Sequence, residues 1–209
     1  MASKNFIKGA AFGAGMAIVL IALLIYFLPW LYVHTENRNF AKLRKKSELN
    51  CETMPLHCAV QDDDIEEIKR YISNGGNLEL KDHWGRSALF WALSKEKYPI
   101  VTILLNAKAD PNTKDENGIS IFHQAVVWGK YDVADELLSK GADINAMNGS
   151  EYPETTLHYC VMKNKPECVI YLLKHGANKY LEDSFGYTVF ERVQTHDHIS
   201  KEIGELLKK

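Results

Sequence analysis

Apolar and polar positions along the chain follow two regimes. From Gly9 to Val33 the run GAAFGAGMAIVLIALLIYFLPWLYV contains no ionisable side chain except Tyr26 and Tyr32. At 1.5 Å per residue a helix of that length reaches about 37 Å, enough to span a hydrocarbon core of roughly 30 Å with some tilt. Beyond residue 50 the apolar residues instead fall three or four apart in short stretches: Ile65-Ile68-Ile72, Val101-Leu104-Leu105, Val133-Leu137-Leu138 and Val169-Leu172-Leu173. Each stretch predicts a short amphipathic helix with one apolar stripe. A short basic flank at 1–8 precedes the long run, and a charged, helix-friendly connector at 34–50 follows it.

The second regime repeats at a fixed step. Met54-Pro55-Leu56-His57-Cys58-Ala59 returns as Ser87-Ala88-Leu89-Phe90-Trp91-Ala92, Ser120-Ile121-Phe122-His123-Gln124-Ala125, Thr155-Thr156-Leu157-His158-Tyr159-Cys160 and Thr188-Val189-Phe190-Glu191-Arg192-Val193. The third position falls at 56, 89, 122, 157 and 190, so the intervals are 33, 33, 35 and 33. A second element keeps the same step: Gly75-Gly76-Asn77, Lys108-Ala109-Asp110, Gly141-Ala142-Asp143 and Gly176-Ala177-Asn178 each follow an apolar helical run. Glycine there can take the left-handed conformation that closes a helix, and Lys108 must take it at some cost. Each unit therefore predicts a capped short helix, a tight turn, a longer helix, a glycine stop and a polar loop. Neither helix can bury its stripe alone, so the units must stack into a solenoid.

This pattern resembles the ankyrin repeat, whose signature pairs a TPLHxA helix start with a GAD-type stop every 33 residues. Pro55-Leu56-His57-Cys58-Ala59 and Gly141-Ala142-Asp143-Ile144-Asn145 are among its closest matches here. The expected fold is all-α: an ankyrin-repeat solenoid over 51–209, with about four full repeats and a degenerate C-terminal capping repeat, preceded by a single transmembrane helix at 9–33. Phe90 departs from the motif histidine, and Glu191 and Arg192 make the fifth unit degenerate. Ile199, Ile203, Leu206 and Leu207 are expected to close the core, while Lys201, Glu202, Glu205, Lys208 and Lys209 face solvent. The extra two residues of the 35-step fall within 147–156 and lengthen one projecting loop.

Several features separate the 9–33 run from a cleaved secretory signal. It exceeds the usual apolar length, and no small-x-small site follows Tyr26-Phe27-Leu28-Pro29-Trp30. Trp30 and Tyr32 stand at its edge, where amphipathic rings prefer the headgroup layer. Gly9 and Gly13 form a GxxxG pair that could support weak self-association.

Charge refines the picture. Residues 1–46 carry seven basic side chains against Glu36, leaving eighteen basic against twenty-six acidic afterwards, a balance of −8. An acidic folded part repels phosphate backbones, so no nucleic-acid partner is expected. The basic excess after the span, Arg38, Lys42, Arg44, Lys45 and Lys46 against Lys4 and Lys8 before it, favours a cytoplasmic repeat domain, with an extracytoplasmic one the alternative. Cys51, Cys58, Cys160 and Cys168 lack CxxC spacing, and Cys58 and Cys160 occupy small apolar helix positions. They read as buried free thiols, which also leans toward a reducing compartment.

Candidate chemistry is thin. His57, His123 and His158 share one repeat position and step along the stack, too far apart for one metal ion, so each should cap or hydrogen-bond within its own unit. His196 and His198 flank Asp197 and read as a solvated cap. No nucleophile elbow, P-loop, HExxH or dinucleotide fingerprint is present, so neither an enzyme nor a cofactor is expected.

What the resemblance implies instead is protein binding through loop tips and inner helix ends. Mapped onto this chain, the candidate contacts are Trp84, Arg86, Ile119, Tyr152, Phe185 and Tyr187 at the tips and Lys95, Trp128 and Met162 at the helix ends. The expected role is a membrane-anchored protein–protein interaction module whose partner is itself membrane-associated and whose residues 9–33 engage the bilayer. An immunity or inhibitor protein neutralising a toxin at the cell envelope, and a regulatory subunit of a membrane enzyme or channel complex, are the alternatives.

Overall fold

The computed structural model describes residues 50–149 and 151–208. The expected span at 9–33, its basic flank and nearly all of the connector lie outside the described residues. Among the described residues, no helix is long and apolar enough to cross a membrane. From Asn50 onward the chain forms one compact unit.

Among the described residues, ten helices alternate between an inner and an outer row. The inner helices are α1 (Pro55–Asp62), α3 (Ala88–Ser94), α5 (Ile121–Val127), α7 (Thr156–Met162) and α9 (Val189–Thr195), and the outer ones are α2 (Ile65–Ser73), α4 (Tyr98–Asn106), α6 (Tyr131–Ser139), α8 (Pro166–Lys174) and α10 (Lys201–Lys208). Local chemistry explains each start. Ser87, Ser120, Thr155 and Thr188 sit in extended backbone, and each hydroxyl accepts the backbone N–H three residues on. Such caps satisfy one of the donors that a helix N-terminus leaves without an internal partner. Met54 offers no such group, and Pro55 opens α1 where the missing N–H is harmless.

Two left-handed residues close each unit. Between the helices that residue is Asp63, Glu96, Gly129 or Asn164, and after the outer helix it is Gly75, Lys108, Gly141 or Gly176. At the second position the next N–H reaches back to a helix carbonyl, as in Ala109 to Leu104 (3.0 Å) and Ala142 to Leu137 (2.9 Å). The chain can then leave the helix sharply because those last carbonyls are satisfied.

Packing runs from neighbour to neighbour: α1 on α3, α3 on α5, α5 on α7 and α7 on α9, with α4 on α6 and α8 on α10 behind them. Leu56, Leu89, Phe122 and Leu157 are all essentially inaccessible in this row. Ile199, Ile203 and Leu207 are buried beneath the last unit, whereas Lys201, Glu202, Glu205 and Lys208 are exposed and Leu206 is half-buried. That arrangement gives the stack a polar end. Polar rungs also join adjacent units. Glu79 accepts from the Asp110 N–H (2.9 Å), Asn112 from that of Asp143 (2.8 Å) and Asn145 from that of Asn178 (2.8 Å). Lys97 pairs with Asp63 (3.3 Å) and Lys130 with Glu96 (3.0 Å).

Two local features differ from expectation. The lengthened loop is a two-stranded antiparallel ribbon, β1 (Met147–Asn148) against β2 (Glu154–Thr155), with Met147 opposite Thr155. The cysteines are not free thiols: Cys51 is bonded to Cys58 and Cys160 to Cys168. The helix-turn-helix geometry accounts for this. Cys160 on α7 and Cys168 on α8 lie 5.9 Å apart at Cα, and Cys51 lies 5.6 Å from Cys58, both within the reach of a disulfide.

Lys108 is exposed, at a position where the other units use glycine, and its φ is 68°. A side chain held in the left-handed region costs about 1 kcal/mol. Lys108→Gly is therefore expected to raise the thermal midpoint by roughly 2–4 °C for a domain of this size. An unchanged or lower midpoint in calorimetry contradicts the account of this turn.

Candidate protein-binding surface

One aspartate shapes each regular loop between units. Asp82 Oδ1 accepts the N–H groups of Trp84 and Arg86 (both 2.9 Å), Asp115 those of Asn117 (3.0 Å) and Ile119 (2.9 Å), and Asp183 those of Phe185 (2.9 Å) and Tyr187 (3.2 Å). The bonds fold the backbone into a compact tip that presents the intervening side chains outward. Burial pushes the Asp82 and Asp183 carboxyls up, but hydrogen bonds from Arg86 and Trp91, and from Arg192 and the loop N–H groups, outweigh it and hold both below the usual carboxylate range.

At the first tip, Trp84 is half-buried. His83 lies against its ring at a tilt of 44°, and the Arg86 guanidinium lies 4.4 Å from its centroid. Arg86 is committed to Asp82 through Nε (3.0 Å) and Nη2 (2.7 Å), so its side chain holds the loop rather than reaching outward. Ile119 is half-buried in the second tip.

The fourth tip gathers three of the expected contacts. Tyr152, Phe185 and Tyr187 are 58%, 59% and 41% exposed, which marks them as large rings left in water. Tyr152, carried by the lengthened loop, stacks on Phe185 with centroids 5.5 Å apart and planes 9° from parallel. The Arg192 guanidinium lies 5.1 Å from Phe185 and 4.7 Å from Tyr187, and it is held by Asp183 through Nε (2.6 Å). The Ser184 N–H donates to Pro153 O (2.9 Å), tying the inserted loop to its neighbour. Beneath them Glu154 is partly buried, and that burial, with Asp183 nearby, raises its carboxyl pKa.

The inner-helix ends form a separate group. Trp128 is 44% exposed, Lys95 is exposed and Met162 is half-buried. Exposed Tyr180 and Ile170 were not anticipated. They lie on the loop stem and the outer helix, away from the tips and inner ends.

A family model described as ankyrin repeats in three copies matches residues 56–148 and 122–200, together most of the chain. The chain belongs to the ankyrin-repeat family. It is 32% identical over 137 residues to SH3 and multiple ankyrin repeat domains protein 2 of Homo sapiens, covering 65% of this chain and 7% of that protein. Rabankyrin-5 of Mus musculus is 31% identical over 150 residues, 64% of this chain and 13% of its own. Neurogenic locus notch homolog protein 2 of Homo sapiens is 26% identical over 132 residues, 63% of this chain and 5% of its own. The chain thus spans a small fraction of the length of these relatives. Ankyrin repeats imply a protein–protein interaction module.

The repeat histidines join units rather than closing their own. His57 Nε2 bonds Arg86 O and His158 Nε2 bonds Tyr187 O (both 3.0 Å), each in the loop of the following ankyrin unit; His158 Nδ1 also meets Thr155 Oγ1 (2.8 Å). The expected intra-unit role holds only for that last contact. The reason is reach: the ring stands at the helix start, against the next loop. His123 makes no cross-unit bond among the described residues, where the ribbon stands in place of the regular loop, and its Nδ1 is buried without a partner. Burial lowers the pKa of all three, His123 to about 4.

A groove of about 490 Å³ runs along the outer helices past Tyr98, Thr102, Lys130, Tyr131 and Glu136. The Lys130 pKa is shifted up by its contacts with Tyr98 and with Glu96, whose carboxylate accepts from Nζ (3.0 Å), and that of Tyr131 is shifted up by burial. Both shifts keep lysine charged and tyrosine neutral at pH 7, away from acid–base work near neutrality.

Histidines with pKa values depressed in the folded state contribute stability that is complete above about pH 6.5 and is lost as the pH falls toward about 4. The urea midpoint should drop across that window. His123→Phe, which copies Phe90, should be near neutral at pH 7 and should flatten part of the drop. His158→Phe should cost about 1 kcal/mol by removing the Nε2 bond to Tyr187 O, which keeps only the Asp183 N–H (2.9 Å). Equal losses for both variants contradict the asymmetry.

Proposed function

We propose that this chain is a membrane-anchored ankyrin module that captures a protein partner through the rings of Tyr152, Phe185 and Tyr187. The observation that carries this reading is the three-ring cluster at the fourth tip. Exposed aromatics that are already stacked and braced by a fixed guanidinium lose little conformational freedom on binding, which suits interface anchors. An enzyme is disfavoured because the shifted histidines and aspartates are spent on joining units or holding loops. Residues 9–33 supply the anchor, and confinement to the membrane raises the effective concentration of a membrane-bound partner. An immunity or inhibitor protein at the cell envelope fits the same surface.

The disulfides bear on topology. Two bridges stapling one repeat domain favour an oxidising compartment, whereas the basic excess after residue 33 favours the cytoplasm. We therefore propose the extracytoplasmic alternative for the repeat domain, with Lys4 and Lys8 in the cytoplasm.

Two measurements test these points. A stoichiometric partner recovered from detergent extract with the wild type should be lost with Tyr152→Ala/Phe185→Ala, a weakening of about 30-fold or more, while the melting midpoint is retained. Retained capture would remove the cluster from the interface. On the membrane-bound chain unfolded in denaturant so that buried side chains are reachable, mass-tagged maleimide should label no cysteine before reduction and four after it; four labelled thiols without reduction would contradict the extracytoplasmic reading.

A further inference from the structure

A different face carries a more specific inference. Lys95, Trp128 and Lys163 occupy the same place in three consecutive units, the C-cap of the inner helix. Their backbones are nearly superimposable, with φ, ψ of −95°, 5°, then −84°, 0°, then −88°, 5°. Equal cap geometry sends the three side chains off the same edge of the stack, so they form a row with tryptophan at its centre.

The two lysines are held in similar ways. Lys95 Nζ lies 5.6 Å from the Trp91 ring centroid and Lys163 Nζ lies 5.7 Å from that of Tyr159, and these rings are themselves at one repeat position. Among the described residues neither lysine has a carboxylate in ion-pair range, although Glu154 lies near enough to Lys163 to feel its charge. By contrast, Lys97 and Lys130, two residues further along their turns, are neutralised by Asp63 and Glu96. Lys165 donates to Val127 O (3.1 Å) at the foot of Trp128. The edge of units two to four is thus basic around an exposed tryptophan, while the chain after Lys46 is acidic overall.

We propose that this row docks an extended acidic protein segment, with carboxylates on Lys95 and Lys163 and an apolar side chain against Trp128. Packed helices lie about 8–10 Å apart, so the two ammonium groups stand on the order of 16–20 Å apart. An extended chain advances about 3.3 Å per residue and places acidic residues five or six positions apart across that span. Complementary charge fixes the register of such a segment, and the ring supplies the desolvated anchor. A bilayer is the poorer fit. Its flat anionic surface would also meet Asp62 and Asp63 at one end of the row and Asp197 at the other, whereas a single strand touches only the row. The inference rests on the reading of this domain as a protein binder but uses a face separate from the Tyr152 cluster.

The test uses the full chain in detergent micelles and a fluorescein-labelled peptide with paired glutamates on either side of a central leucine at that spacing. Binding is expected to weaken as salt rises, to fall at least tenfold in Trp128→Ala and to vanish in Lys95→Glu/Lys163→Glu, both exposed sites whose variants should keep the wild-type circular dichroism. The same peptide with lysine for glutamate should not bind. Tyr152→Ala/Phe185→Ala should bind the peptide as the wild type does, which separates failure of the tip from failure of this row. No binding of the acidic peptide, equal binding by the charge-reversed variant, or charge-dependent binding to phosphatidylglycerol vesicles in its place would overturn the proposal.

Discussion

Helices of seven to nine residues cannot shield their own apolar stripes, and everything else in this domain follows from that shortfall. Leu89, Phe122 and Leu157 are removed from water by the units before and after, and Leu56 by the unit after. Stability is then a sum over neighbours, and the ends are the weak points. The chain meets one end with Ile199, Ile203 and Leu207 under a charged helix. At the other end of the described stack α1 lacks a side-chain cap, and the Cys51–Cys58 bridge ties the turn before it to the helix.

Stacking also dictates where polar groups can go. Buried hydrogen-bonding side chains are drawn into joints between units, which is why His57 and His158 reach into the next loop, while Glu79, Asn112 and Asn145 form successive rungs at the surface. Where the two-residue insertion breaks the regular loop, the joint at His123 is missing and a ring, Tyr152, projects instead. The irregularity that weakens one contact inside the stack creates one outside it. Binding surface on such a scaffold is what remains once these joints are made: tip residues and helix caps facing solvent.

Local and periodic signals were legible in the residues alone. The hydroxyl caps at Ser87, Ser120, Thr155 and Thr188, the left-handed stops with Lys108 as the odd member, the apolar stripes and the closing helix all depend on short-range chemistry, and all appear where expected. Pairwise matters were not. Cys160 and Cys168 meet because two helices fold back on each other, a relation that spacing motifs do not encode, and Arg86 looks like a surface cation until Asp82 is seen to hold it. Exposure of Tyr152, Phe185 and Tyr187 could be anticipated from loop position, but their mutual stacking depends on the inserted ribbon leaning on the next loop.

Amide hydrogen exchange resolved by residue addresses the neighbour-stacking principle most directly. Protection should be greatest in α3, α5 and α7, each covered on both sides, and should decline toward α1 and α10. Protection that is uniformly low in those three central helices, or highest at the two ends, would contradict it.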